Sequence, residues 1–220
     1  MATDIEYALM AGASYISTRP DVNKFPVPVG WTERRDKRES DPVSGFEATY
    51  FTKGDEIVIS FAGTDPKDKS GDLVADLWLA GGSIHEQLRQ AADYYLAVKT
   101  IAPAGTKITL TGHSLGGGLA SLIAVMFGET AVTFDQAPFL NSATTSLKTD
   151  PQTGTTDYRS VAQDLRTYLG DRTPAALHNY ILANEPFNGS PVAVDTLTER
   201  SKLVRNISVQ GEFLSGWFGP

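Results

Sequence analysis

Lys107 to Phe127, KITLTGHSLGGGLASLIAVMF, constrains this chain more than any other stretch. Its first residues are rich in β-branched side chains and predict a buried strand, whereas the apolar run LASLIAVMF after the turn predicts a helix. Only Gly112-His113-Ser114-Leu115-Gly116 stands between the two, with Gly117 and Gly118 leading into the helix. A strand that runs through G-x-S-x-G directly into a helix holds the central serine in a strained turn, its hydroxyl exposed above a sheet. Ser114 is therefore a candidate nucleophile; the competing reading is a Gly-rich turn with an incidental serine.

The rest of the chain supplies a sheet for that turn. Thr3 and Glu6 have capping-box spacing, and Ile5, Leu9 and Ile16 with Ala8 and Ala13 form a helical apolar stripe. Residues 18–45, rich in Pro, Gly and charge, read as a surface loop that includes the basic run Arg34 to Arg38. Phe46 to Thr52 and Glu56 to Ala62 read as a hairpin joined through Lys53-Gly54-Asp55. A polar loop, Asp65 to Gly71, leads to an amphipathic turn from Asp72 to Leu79. The spacing then predicts a helix over Ile84–Thr100 with Leu88, Ala91, Ala92, Tyr95 and Val98 inward, and strands at Ala131–Phe134 and Leu203–Val209. Between those strands lies a long excursion with helices expected at Tyr158–Tyr168 and Ala175–Ile181; excursions of such length are usually lids or binding loops. The alternation predicts an α/β fold, a mainly parallel sheet with helices on both faces and its sites at the carboxyl ends of the strands.

Composition narrows the functional classes. A length of 220 residues with 41% hydrophobic and 20% charged residues fits one soluble domain. A net charge of −7 argues against nucleic acid as a partner. The absence of cysteine excludes disulfides, thiolate metal sites and cysteine nucleophiles. No apolar run approaches the roughly 20 residues of a membrane span. The N-terminus lacks the basic leader and apolar core of a classical signal peptide, so localisation stays open, export by a non-classical bacterial route included. No cofactor is called for, and the Asp-rich loops lack calcium-ligand spacing.

A serine hydroxyl is a poor nucleophile at neutral pH and needs an imidazole, an acid to orient it, and donors for the oxyanion. The backbone N–H of Leu115, at the start of the helix after the serine, is the first such donor, favoured by the helix dipole. The strand end Phe61-Ala62-Gly63-Thr64 is suited to supply the second: Gly63 permits close approach, and Thr64 offers an N–H and a hydroxyl.

These residues resemble the class 3 lipases, the fungal-lipase-like branch of the α/β hydrolases. FAGTD resembles their oxyanion strand end, DLVADL followed by Ile84-His85 their lid region, and TGHSLGGGLASL their serine turn. The likeness covers about residues 46–140 well and the rest loosely. VTFDQAPF and VQGEFLSG further resemble the lipase-type domains of large bacterial proteins that carry calcium-binding repeats. Ala62 stands where the fungal enzymes commonly have arginine, so an ion pair made by that arginine is not expected here.

The resemblance implies the order serine, acid, histidine. Glu212, after the strand-like run Arg205 to Val209, is the first choice for the acid, since QGEFL resembles the family's Gly-Asp turn. Asp135, directly after the preceding strand, and Glu185 are the alternatives. Of the three histidines, His113 is expected to point away from the site and His85 to be structural, which leaves His178 as the base within this chain. The resemblance also places the catalytic histidine beyond the Gly-Glu turn, and with Pro220 so close behind it the domain is expected to be truncated at its C-terminal end.

The implied activity is that of a serine lipase or esterase: Ser114 attacks a lipid-like acyl ester, Leu115 and Thr64 hold the oxyanion, and water releases the acyl group. Leu73, Val74, Leu77, Trp78 and Leu79 are lid candidates, with transient contact at a lipid interface, or else plain core packing. The competing readings are an acyltransferase or amidase on the same scaffold, and a catalytically incomplete module that only binds acyl ligands.

Overall fold

The computed structural model describes residues 1–17, 25–63, 83–136, 147–149, 156–158, 165, 168, 169 and 199–208. Strands β3 (Phe46–Lys53) and β4 (Glu56–Phe61) form the expected hairpin, in register from Ala48 opposite Phe61 to Lys53 opposite Glu56. Gly54 lies at φ 60 in the first position of the two-residue loop, where the tight turn that suits strand twist requires glycine. Strands β5 (Lys107–His113), β6 (Thr130–Phe134) and β9 (Val204–Ile207) continue from β4, each parallel to the one before. On the other side of β3 the chain adds β1 (Thr32–Glu33) and β2 (Glu39–Asp41), both antiparallel to it. The described sheet thus has seven strands in the order β1–β3–β4–β5–β6–β9, with β2 also on β3, and is mainly parallel through its centre. A separate antiparallel pair joins β7 (Leu147–Thr149) and β8 (Thr156–Tyr158).

Helices cover both faces. Helix α1 (Asp4–Ala13) starts at the expected capping box, with Thr3 N–H donating to Glu6 Oε2 at 2.7 Å and Glu6 N–H to Thr3 Oγ1 at 3.3 Å. It lays Tyr7, Met10 and Ala13 on Phe51, Val58 and Val132. On the opposite face α2 (Ser83–Ile101) and α3 (Leu115–Phe127) pack Leu88, Tyr95, Leu119 and Ile123 against Ile59, Phe61 and Leu110. Val58 goes to one core and Ile57, Ile59 and Phe61 to the other, the period-2 consequence of a strand buried on both sides. Helix α3 is buried along its whole length, which its apolar sequence permits on every side. Gly128 ends it at φ 71, and the Arg200 guanidinium donates to the carbonyls of Val125 (3.2 Å) and Met126 (2.9 Å).

The structure departs from the sequence reading in particular places. Ile5 is 74% exposed, because α1 docks through Tyr7 and Met10 and is pinned there by Ser60 Oγ donating to the Met10 carbonyl at 3.0 Å. The expected loop over 18–45 contains β1, β2 and a 3-10 turn, Arg35–Lys37, between them, since the outer edge of β3 carries backbone groups that pairing satisfies. The basic run is solvated, with Arg35 and Arg38 paired to Glu33 and Arg34 to Asp36. Tyr158 ends a strand rather than opening a helix; Leu165, Tyr168 and Leu169 are helical. The segments Asp65–Leu79 and Ala175–Ile181 lie outside the described residues.

Candidate active site

The parallel register brings four strand ends to one edge. Phe61 of β4 pairs with Gly112 of β5, His113 with Phe134 of β6, and Phe134 with Ile207 of β9. Ser114 stands at the middle of that edge. Its φ of 55 and ψ of −125 lie where an L-residue is strained, a conformation kept only where the surroundings over-determine it. Those surroundings are visible: Ser114 N–H donates to the Phe134 carbonyl at 3.0 Å, and its own carbonyl accepts the first helical bond from Gly118 at 3.1 Å.

The flanking glycines explain why the turn can be so tight. A Cβ on Gly112 would fall on the backbone of Gly116, and one on Gly116 would lie 2.6 Å from the Ala62 carbonyl carbon and 2.7 Å from its oxygen. Strand, helix and the end of β4 are therefore in backbone contact, and side chains are excluded from the junction. Gly63 completes it: a Cβ there would sit 2.7 Å from the His113 carbonyl oxygen and 3.4 Å from Ser114 Cβ. The β4 end thus reaches Ser114.

Serine at a helix N-cap ordinarily spends its hydroxyl on a backbone N–H of the first turn. Ser114 makes no such capping bond. Its half-buried hydroxyl is therefore not consumed by α3, and the first N–H groups of that helix, Leu115 foremost, remain without intrahelical acceptors. Together they set a serine hydroxyl beside N–H donors at the positive end of a helix dipole.

Leu115 is buried at the start of α3. Asp135 is buried directly after β6, at φ 42, with its N–H donating to the Ile207 carbonyl at 3.1 Å. His113 turns its ring toward α1, where Nδ1 is hydrogen-bonded to the Tyr15 hydroxyl at 3.2 Å. Thr64 follows directly on Gly63 but lies outside the described residues, as do Glu212, His178 and Glu185 and the His85 side chain. Among the described residues no group of His, Asp or Glu is gathered to hold a metal ion.

Sequence reasoning missed three side chains here. Tyr15 joins His113, and the buried Glu47 accepts from Ile16 N–H (2.7 Å), Ser17 N–H (3.0 Å) and the Ser17 hydroxyl. Gln136 Oε1 accepts from Ser121 Oγ (2.5 Å) and Thr133 Oγ1 (2.6 Å), tying α3 to the end of β6. The signal that could have found Glu47 is the one carboxylate of β3, on the same face as Thr49 and Phe51.

The family described as the Tle-like phospholipase domain matches residues 6–173. An extracellular phospholipase A1 of Serratia liquefaciens is 30% identical over 182 residues, which cover 78% of this chain and 54% of that protein. The chain therefore spans about half the length of the curated relative it matches. Among solved structures, the lipase of Rhizopus microsporus var. chinensis aligns with a TM-score of 0.44 at 17% identity, over 60% of this chain and 56% of that one. Lipase II of Rhizopus niveus aligns with a TM-score of 0.44 at 18% identity, over 60% and 61%.

Proposed function

The chain belongs to the Tle-like phospholipase family, and from that premise we propose that it is a serine hydrolase of carboxylic esters whose substrate is an acyl ester of a phospholipid or a related lipid. The observation that carries the reading is Ser114 at φ 55, with its hydroxyl unspent on the helix it caps and the end of β4 against it. Kinship with an extracellular phospholipase A1 supports the lipid class of the substrate. Among the described residues no helix is long and apolar enough to cross a membrane.

In the proposed reaction Ser114 Oγ attacks the ester carbonyl and its proton passes to an imidazole. The tetrahedral oxyanion accepts from Leu115 N–H and from Thr64, whose position after Gly63 supports that role. The C–O bond to the leaving alcohol breaks as the imidazolium returns its proton to the alcohol oxygen. Water, deprotonated by the same imidazole, then releases the acid and restores the serine.

Glu212 is proposed as the acid that orients the imidazole, because β9 runs toward it parallel to β6 and ends level with the serine. His178 is proposed as the base; it is the histidine of this chain that follows Ser114. His178 precedes Glu212 in the chain, so the order serine, acid, histidine is met only with Asp135 as the acid. Turnover of a short-chain p-nitrophenyl ester tests the whole scheme: Ser114→Ala is expected to fall to the uncatalysed rate, and rates equal to those of the unaltered chain would sink it. His178→Ala with undiminished turnover would exclude that base, and Glu212→Gln compared with Asp135→Asn separates the acids.

A further inference from the structure

Tyr15 is 2% exposed, and its hydroxyl lies at the junction between the nucleophile and the end of β4. It is hydrogen-bonded to His113 Nδ1 at 3.2 Å, on the residue directly before Ser114. It also stands 2.8 Å from where a Cβ of Gly63 would be, beside the residue that leads to the proposed oxyanion donor. One buried phenol thus bonds the side chain of the residue before Ser114 and fills the space that a side chain at Gly63 would take.

Tyr15 is itself held from outside the site. Glu47, 3% exposed on β3, takes the N–H groups of Ile16 and Ser17 and the Ser17 hydroxyl, fixing the chain immediately after Tyr15. The Glu47 carbonyl accepts from Ala62 N–H at 3.0 Å, so the same residue fixes the backbone immediately before Gly63. A buried carboxylate costs free energy unless its acceptor sites are filled, and here they are filled by the segment that carries Tyr15.

We propose that Tyr15 is a positioning residue for the ester hydrolysis, and that Glu47 sets its place. Its hydroxyl braces His113 against Gly63 and so maintains the gap between Ser114 and the end of β4 that the tetrahedral oxyanion must fill. This rests on the reading of Ser114 as nucleophile. The reacting carbonyl is bound before that gap matters and the charged oxygen forms only afterwards, so the brace acts on the transition state more than on the bound ester.

Tyr15→Phe retains the ring and removes the hydroxyl. With a short-chain p-nitrophenyl ester, kcat is expected to fall about tenfold, on the scale of a sub-ångström misplacement, while KM changes less than about twofold. Glu47→Gln is expected to give the same pattern from a residue that does not reach the serine. Ser114 phosphonylation by a p-nitrophenyl alkylphosphonate should slow in parallel, since its intermediate carries the same developing charge.

An unchanged kcat in Tyr15→Phe overturns the proposal, as does a loss that appears in KM or follows only a lowered melting temperature, which a packing role would produce. Ser114→Ala, measured alongside, keeps the failures apart. If Ser114→Ala equals the unaltered chain the ester hydrolase reading falls and this proposal with it; if Ser114→Ala is inactive and Tyr15→Phe is not impaired, the positioning role alone is refuted.

Discussion

Gly116→Ala puts two physical effects in direct competition. Exchange of glycine for alanine within a helix ordinarily gains about 1 kcal/mol. At this position the new Cβ would lie 2.6 Å from the Ala62 carbonyl carbon and 2.7 Å from its oxygen, and would fall on the Phe61 carbonyl oxygen as well. All three are backbone atoms, with no side chain to swing aside. The end of β4 must retreat by about 1 Å to regain ordinary carbon contact, and forced overpacking of this kind costs about 1–3 kcal/mol. The net expectation is a loss of about 0–2 kcal/mol, or a fall in melting temperature of up to roughly 8 °C for a chain of this size. The retreating strand end is the one that reaches Ser114, and a misplacement of that size is expected to lower kcat by about 10²-fold. Gly54→Ala provides the contrast: Gly54 is at φ 60 with open space around it, so the substitution should cost about 1 kcal/mol of stability and leave kcat unchanged. Urea unfolding with ester turnover on both variants decides the matter. A Gly116→Ala protein that is more stable than its parent and fully active would refute the backbone contact.

Three further outcomes follow from particular residues. Ser114→Gly relieves the strain at φ 55 and should be more stable than Ser114→Ala by about 0.5–1 kcal/mol in urea unfolding, although both are expected to lose turnover; an Ala variant of equal or greater stability counts against the strain. The Thr3 backbone N–H, with Trp31 and Lys53 also donating, holds the Glu6 carboxyl down to about 2 against its ordinary 4.5. The stability this supplies is present above pH 4.5 and drains away as pH falls toward 2, so melting curves of Glu6→Gln should be flatter over that window, and an identical acid limb would contradict it. Arg200→Met leaves the carbonyls of Val125 and Met126 without the guanidinium and should cost about 1–2 kcal/mol, read from the urea midpoint.

What the sequence made legible was what its neighbours in the chain determine. The capping box of α1, the hairpin at Gly54 and the strand–turn–helix around Ser114 are each set by residues a few positions apart, and each is found where it was expected. The face of α1 was misread because the choice between Ile5 and Tyr7 depends on what the helix meets, and Val58 and Ser60 are far along the chain. The short strands β1 and β2 escaped detection because two or three residues carry no period, and pairing to β3 alone defines them. At the candidate site, the turn that holds Ser114 could be located from the motif, but Tyr15 meets His113 across 98 residues of sequence and Glu47 meets Ser17 across 30.

Glu47 shows how such a residue can be sought in other chains. Alternation in FEATYF places Phe46, Ala48 and Tyr50 on one face and Glu47, Thr49 and Phe51 on the other, and polar residues on an alternate face are ordinarily read as facing water. That rule holds for a sheet with one solvated face. Here α1 covers the second face, and Glu47 is 3% exposed within it. A carboxylate in that position is tolerated only where donors converge on it. Once helices on both faces are expected, a lone carboxylate in a central strand therefore predicts a clamp on some segment with unpaired N–H groups. The end of α1, just before the site, is such a segment.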